Sequence, residues 1–145
     1  MRRTLIALVI SALALVAVLA ANAAGTKTVK FEVALKGNNE APAAPASNKG
    51  KIELTLNTTS GKVCWQFKLA KIDGKPTQSH IHKGKVGVSG NVVVPLGANY
   101  KRQGCTTAAK SLVKSIAGHP GAYYVNVHNA KHPAGAMRGQ LTRGT

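Results

Sequence analysis

Three histidines have the residue type and spacing best suited to site chemistry in this chain. His80 and His82 lie in Ser79-His80-Ile81-His82, whose pattern predicts a short strand. Side chains two residues apart on a strand point to the same face, so both imidazoles are expected on one face and Ile81 on the other. His128 ends a second predicted strand. If the two strands are neighbours, three neutral imidazoles converge on a site for copper or zinc, which bind such nitrogens at about 2.0–2.1 Å.

A second interpretation of the same histidines needs no metal. Imidazoles on a sheet face often bond to polar neighbours, and the predicted strands also carry Ser79, Tyr124 and Asn126. The rings would then form a hydrogen-bonded polar cluster. His119 lies in a Gly-His-Pro-Gly segment and His132 precedes Pro133, so both are predicted to be turn residues. His132 is also close enough in sequence to His128 to serve as a spare ligand.

Acidic residues are too few and too scattered to suggest carboxylate chemistry. The 145 residues include four acids, Glu32, Glu40, Glu53 and Asp73. A catalytic carboxylate pair or a calcium or magnesium cage is therefore not expected. The sequence also has no Gly-x-Ser-x-Gly turn and no glycine-rich phosphate loop followed by Lys-Ser or Lys-Thr. We assign no catalytic residue, and these observations favour a non-enzymatic protein over an enzyme.

Short alternating apolar segments predict the elements that must position the histidines. About seven of them are separated by turn signals at intervals of roughly ten residues, which is typical of an antiparallel β-sandwich. Between Thr107 and Ile116 the spacing of Ala108, Leu112 and Ile116 is helical instead. We therefore predict an all-β antiparallel sandwich with one short helix. The predicted strands cover 29–35, 52–57, 63–69, 79–82, 91–94, 123–128 and 136–141.

The first 23 residues have the composition of a secretory signal peptide. Two arginines precede an apolar run from Leu5 to Ala21, and Ala21-Asn22-Ala23 fits the small-x-small cleavage rule. Cleavage there would leave a single domain, residues 24–145, that is secreted or periplasmic. An uncleaved signal anchor is the alternative, although the apolar run is short for a spanning helix. No later segment is apolar enough to predict a membrane span after cleavage.

Cys64 and Cys105 are expected to form a disulfide, because an even number of cysteines in an exported chain usually pairs. The alternative is a thiolate that binds metal or acts as a nucleophile. Neither cysteine lies in a Cys-x-x-Cys pair, which favours the structural bridge.

The net charge of +16, from 20 basic residues against four acids, suggests an anionic partner. Nucleic acid is not the expected one. The lysines are scattered singly along the strands, and aromatic residues, which stack on bases, make up only 4% of the chain. A basic surface that prefers anionic polymers of the cell envelope fits the charge better.

Five ordered segments between about Phe31 and Leu141 resemble the CHRD domain, a module named after chordin that also occurs alone in exported microbial proteins. They cover 31–42, 79–84, 90–96, 123–128 and 133–141. The resemblance implies an all-β extracellular domain, for which we expect a Greek-key sandwich of the immunoglobulin or superoxide dismutase kind. Chordin-like proteins bind growth-factor ligands, whereas the stand-alone bacterial members imply no defined activity. Cys64 and Gly104-Cys105 also resemble the cysteines of many bacterial members.

Two charged residues, Glu40 and Arg138, fall within these segments. We expect them to form an ion pair, or else each to cap the irregular loop near the histidines. A buried pair would explain an acid in so basic a chain. The strand His80-Ile81-His82 is further similar to the copper-binding strand of copper/zinc superoxide dismutases. The zinc loop of those enzymes has no counterpart here, so dismutase activity is not expected.

The function predicted first is an exported, non-enzymatic binding or structural module whose ligand, a protein or an anionic polymer, the sequence does not name. The second is a copper- or zinc-binding protein that stores or carries metal or has minor redox activity, with His80, His82 and His128 as ligands. The third is electrostatic binding of anionic envelope polymers.

Overall fold

A computed structural model describes residues 27–143, and the predicted leader, 1–23, lies outside them. One α-helix, α1 (Lys110–Gly118), and two short 3-10 turns accompany eight strands. In the described residues no helix is both long and apolar enough to span a bilayer. The strands are β1 (Thr28–Lys36), β2 (Lys49–Asn57), β3 (Lys62–Lys71), β4 (Pro76–Lys83), β5 (Val92–Pro95), β6 (Gln103–Thr107), β7 (Tyr123–Asn129) and β8 (Met137–Gln140).

All paired strands are antiparallel and belong to one sheet in the order β5-β4-β7-β8-β1-β2-β3-β6. This confirms the all-β fold with one short helix, and the sheet is nearly barrel-shaped. The segment between β5 and β6 connects the two ends of the sheet. Tyr100 N donates to Thr77 O on β4 at 2.8 Å, and Phe67 N on β3 donates to Arg102 O at 2.7 Å.

The core lies inside the curved sheet and follows from the alternation of the strands. Three alternate residues in each of β1, β2 and β3 are buried, while most of the residues between them reach solvent. The helix α1 covers part of this core with Val113 and Ile116, both fully buried. Each fully buried aliphatic side chain contributes about 1.5–3 kcal/mol to folding. The inward side chains of the first three strands are Phe31, Val33, Leu35, Ile52, Leu54, Leu56, Val63, Trp65 and Phe67.

The helix begins later than the sequence predicted. Thr107 is the last residue of β6, where it pairs with Lys62, and Ala108 N donates to Gly61 O at 2.9 Å. These two residues are therefore held as extended chain, and α1 begins only at Lys110.

The strand β6 itself was not predicted. Its sequence, Gln-Gly-Cys-Thr-Thr, has no apolar alternation, and its residues are exposed or half-buried. It forms because it pairs with β3 at the edge of the sheet. Cys64 on β3 and Cys105 on β6 are directly opposite in that pairing and form the expected disulfide, with a sequence separation of 41 residues.

Candidate metal centre

The two histidine-bearing strands, β4 and β7, are hydrogen-bonded neighbours. In their antiparallel register His80 lies opposite Asn126, and His128 lies two residues further along β7 on the same face. Ile81 between the two β4 histidines is fully buried in the core. The sheet therefore brings His80, His82 and His128 together, as the metal hypothesis requires.

The three imidazole rings are close to the spacing of a shared ion. The ring centroids of His80 and His128 are 4.9 Å apart, and those of His82 and His128 are 6.1 Å apart. One nitrogen from each ring can be chosen so that all three lie within 4.8 Å of one another. Two nitrogens bound to one zinc ion at about 2.1 Å can be at most about 4.2 Å apart. The most widely separated nitrogens would therefore have to approach each other by at least about 0.6 Å to bind one ion.

Backbone carbonyls determine which nitrogens can bind a metal. His82 Nδ1 lies 2.8 Å from Gly90 O and His128 Nδ1 lies 3.0 Å from Pro133 O. A carbonyl only accepts, so both Nδ1 atoms carry the proton, and in the neutral rings the lone pair is on Nε2. His82 Nε2 is buried and has no hydrogen-bond partner among the described residues. Metal-binding histidines are commonly oriented by such an N–H contact to a carbonyl.

The third histidine, His80, hydrogen-bonds to another histidine instead of to a backbone carbonyl. Its Nδ1 lies 3.1 Å from His128 Nε2, and because that nitrogen has a lone pair, His80 donates. His80 would therefore have to transfer its proton from Nδ1 to Nε2 before Nδ1 could bind a metal.

Burial keeps all three imidazoles neutral near pH 7. Desolvation, followed by the neighbouring His128 and His82, lowers the pKa of His80 to about 4. Desolvation also lowers the pKa of His82 and of His128, although Gly90 O and Pro133 O partly oppose it. A metal competes with protons for imidazole, so neutral rings are ready to bind.

The metal-free alternative finds only partial support in the contacts. Asn126 Oδ1 lies 2.9 Å from His128 Nε2, but both atoms are acceptors when His128 Nδ1 carries the ring proton, so this contact is a hydrogen bond only with the Asn126 amide turned to present Nδ2. Ser79 Oγ, however, is buried without a hydrogen-bond partner. The Tyr124 hydroxyl accepts from Gly90 N at 3.1 Å rather than from a histidine.

The two remaining histidines lie outside the candidate centre. His132 Nε2 is 2.9 Å from Asp73 Oδ2, and this contact lowers the pKa of Asp73 to about 2. The structure therefore pairs His132 with an acid instead of using it as a spare ligand. His119 follows the last residue of α1.

A family model, the CHRD domain, matches residues 31–141 of the chain. The chain belongs to the CHRD domain family. No curated protein and no solved structure matches it. All three histidines of the candidate centre lie inside the matched range, so the centre is part of the CHRD domain.

Beside the histidines, the CHRD domain contains a buried ion pair between Glu40 and Arg138. Arg138 Nε donates to Glu40 Oε2 at 2.6 Å, and the two side chains are 4% and 1% exposed. Burial raises the pKa of Glu40, and Arg138 partly offsets this by hydrogen bonding and by its charge. An added Cβ at Gly135 would collide with the Glu40 carboxyl group, so this turn has no room for a side chain.

Arg138 also contacts the histidine site through an aromatic ring. Its Cζ lies 4.2 Å from the centre of the Tyr124 ring, which in turn stacks on His82 with centroids 4.8 Å apart and an angle of 8°. The sequence did not predict this stack or the two orienting carbonyls, Gly90 O and Pro133 O. The register of β4 and β7, which places Tyr124 opposite His82, is the signal that could have revealed the stack.

Proposed function

We propose that this CHRD domain is an exported, non-enzymatic module that binds one copper or zinc ion through His80, His82 and His128. One observation carries the proposal: three neutral imidazoles converge, and the Nε2 of His82 is buried without a partner. A buried polar atom without a hydrogen bond is costly in a folded protein. A bound ion would remove that cost.

The ligand chemistry favours Zn²⁺ or Cu²⁺ over Cu⁺. All three donors are imidazole nitrogens, which suit both divalent ions, whereas Cu⁺ prefers thiolate and thioether ligands. Both cysteines are bound in the disulfide. Three protein ligands leave a fourth position for water or an exchange partner, which suits a protein that stores or carries metal.

The test is calorimetric titration of the purified protein with zinc chloride and, separately, with copper(II) chloride. We expect one ion per chain, with binding lost in His82→Ala. His119→Ala is the matched control, because His119 lies outside the centre, and it should bind as the wild type does. Absence of binding at micromolar metal in the wild type would contradict the proposal.

Export is the second part of the proposal. The disulfide between Cys64 and Cys105 supports it, since such bonds persist in oxidising compartments and are rare in the cytosol. The intact mass of the protein recovered from the periplasm or medium should correspond to cleavage after Ala23. A mass that includes the leader would instead indicate a retained signal anchor.

A basic cleft between β1 and α1 favours a second candidate function, the binding of anionic envelope polymers. The cleft has a volume of about 570 Å³ and a partly apolar floor that includes Val29 and Phe31. All four acids of the chain are paired elsewhere, with Lys51, Arg138, Lys68 and His132. The cationic residues that line the cleft are Lys27, Lys30, Lys114 and Arg143.

Chromatography on immobilised polyphosphate tests this second function. The double variant Lys114→Gln/Arg143→Gln should elute at clearly lower salt than the wild type, because exposed charges are screened by salt. Lys62→Gln/Lys71→Gln removes the same charge from exposed strand positions and serves as the control. Equal effects of the two double variants would mean that the cleft has no special role.

A further inference from the structure

The loop between β4 and β5 presents apolar side chains to solvent. We call residues 84–92, which comprise this loop and Val92 at the start of β5, the valine loop. In the described part of the chain, the large hydrophobic residues that are exposed are Val86, Val88 and Val92, with relative exposures of 78%, 52% and 45%. All of them lie on the valine loop. An added Cβ on Gly87, between the first two, would meet nothing within 4 Å, so this part of the loop protrudes into open space.

The valine loop is nevertheless tied to the domain. Arg138 Nη1 donates to Val88 O at 3.1 Å, and Ser89 Oγ donates to Ala41 O at 2.7 Å. Gln140 Nε2 donates to Gly84 O at 2.9 Å, and Gly90 O accepts from His82. A loop held at both sides of its tip loses little conformational entropy when it binds a partner. Its exposed valines are thus a preorganised surface.

The charge around the tip is positive. Lys83 and Lys85 are exposed beside the valines, and the whole chain carries +16. Glu32, Glu40 and Glu53 each form an ion pair with a lysine or arginine, and none of the four acids of the chain lies in residues 83–92. Exposed apolar side chains flanked by lysines match the interface of a bilayer, where acyl chains lie below anionic headgroups.

The shape of the tip favours a bilayer over a folded protein. Specific protein interfaces bury about 800 Å² on each partner, and they usually do so over a broad patch. Three valines on one protruding loop offer much less apolar area than that. A protruding tip can instead insert into the headgroup region without any complementary surface.

We propose that the valine loop inserts its tip into an anionic phospholipid bilayer and so holds the domain at the membrane surface. Gly90 of the loop orients His82, so the candidate metal centre would lie close to the headgroups. The proposal does not depend on metal binding, because the valines and lysines that carry it are not ligands.

Cosedimentation with vesicles tests the proposal. The wild type should bind vesicles that contain phosphatidylglycerol and phosphatidylcholine, and should bind pure phosphatidylcholine only weakly. Val86→Ser/Val88→Ser should weaken binding to the anionic vesicles roughly tenfold or more, from the lost burial of two side chains. Lys83→Gln/Lys85→Gln should weaken it several-fold, and Lys62→Gln/Lys71→Gln should weaken it less.

A tryptophan probe gives a second readout. Val86→Trp should show a blue-shifted and enhanced emission on anionic vesicles if the tip enters the bilayer. His128→Ala removes a proposed metal ligand whose ring contacts His80, Pro133 and Asn126 rather than the valine loop. It should bind vesicles as the wild type does, which separates this proposal from the metal proposal. The proposal is overturned if the serine variant binds as the wild type does, which would indicate charge alone. It is also overturned if the folded wild type binds no vesicles, which would leave a partner protein as the reason for the exposed valines.

Discussion

His82 is the residue that most clearly joins the local structure to the proposed chemistry. Its Nδ1 donates to Gly90 O, its ring stacks on Tyr124, and its Nε2 is buried with no hydrogen-bond partner in the described part of the chain. The backbone and the aromatic ring thus hold the imidazole before any ligand arrives. Such preorganisation lowers the entropic cost of binding.

The depressed histidine pKa values predict that acid destabilises the metal-free protein. As the pH falls from about 6.5 toward 4, the imidazole of His80 takes up a proton in the unfolded chain. In the folded protein its pKa is about 4, so it stays neutral over most of this range. The unfolded state then binds more protons, so the free energy of unfolding should rise with pH across this window and level off above it. Urea denaturation in EDTA at several pH values measures this.

His80→Gln provides the control for the pH dependence. It removes the most strongly shifted imidazole, so the slope between about pH 4 and 6.5 should become smaller. The pKa of Asp73, lowered to about 2, gives stability that is present above its unfolded pKa of 3.8 and is lost as pH falls toward 2. The contribution of Asp73 to stability therefore changes at lower pH than the range in which His80 affects stability. An unchanged slope in His80→Gln would contradict the assignment.

The Glu40–Arg138 pair predicts strong coupling between two substitutions. Glu40→Gln leaves a buried guanidinium without its charged partner, and removing one member of such a pair costs about 3–5 kcal/mol. Arg138→Met leaves a buried carboxyl group that can take up a proton, which limits the damage. In the double variant neither charge remains. Its loss of stability should therefore be smaller than the sum of the single losses, by about 1–3 kcal/mol.

A double-mutant cycle from urea denaturation of the four proteins measures this coupling. Glu32→Gln and Lys51→Met form the matched control cycle, because their ion pair is exposed and 2.6 Å long. Exposed pairs are worth little, so the control cycle should be nearly additive. Additive losses in the Glu40–Arg138 cycle would show that the buried contact carries no pair energy.

At the scale of elements, β6 and the valine loop are held by contacts that their own sequences do not predict. The strand β6 has no buried hydrophobic residue and depends on β3 and the disulfide. The valine loop depends on Arg138, which comes from β8. Both segments connect to the core through few side chains, so their stability can differ from that of the rest of the sheet.

Loss of the disulfide should therefore release β6 first. In Cys64→Ala/Cys105→Ala the amides of Gln103–Thr107 should exchange with solvent much faster, while those of β1 and β2 change less. The chain-entropy model gives about 3–4 kcal/mol of lost global stability for a loop of this length. Hydrogen exchange followed by mass spectrometry resolves the two effects. Equal acceleration in all strands would mean that β6 is not a separate unit.

At the scale of the whole molecule, the curved sheet places three different surfaces on one small domain. The histidines lie on β4 and β7, the valine loop continues from β4, and the basic cleft lies between β1 and α1. The cleft shares no lining residue with the histidine centre. The proposed binding of metal, bilayer and polymer can therefore be tested by separate substitutions.

Metal binding at the histidines should stabilise the entire fold. An ion that binds only the native state adds about 2.7 kcal/mol at a free concentration one hundred times its Kd. For a domain of this size that corresponds to a rise in Tm of about 10 °C. Differential scanning calorimetry with zinc and with EDTA measures it. His119→Ala should keep the rise and His82→Ala should lose it. A zinc effect that persists in His82→Ala would indicate binding elsewhere.

Several features could be predicted from the sequence because they depend on local pattern. A period of two residues places His80 and His82 on one face whatever the rest of the chain does. Short apolar or alternating segments between turn signals predicted seven of the eight strands. Because the chain has only two cysteines, their pairing in a disulfide could be predicted once the protein was assumed to be exported. The ordered CHRD segments indicated the family, which the match over residues 31–141 shows.

Other features depended on contacts between residues far apart in the chain. His80 and His128 are 48 residues apart, and only the pairing of β4 with β7 brings their rings together. The tautomers depend on two backbone carbonyls, and a carbonyl's direction is not encoded by residue type. The same holds for β6, whose hydrogen bonds come from β3. Side-chain periodicity is a local property of the chain, whereas strand order, register and the approach of loops arise from long-range packing. The candidate ligands were therefore readable in the sequence, but their convergence was decided by the fold.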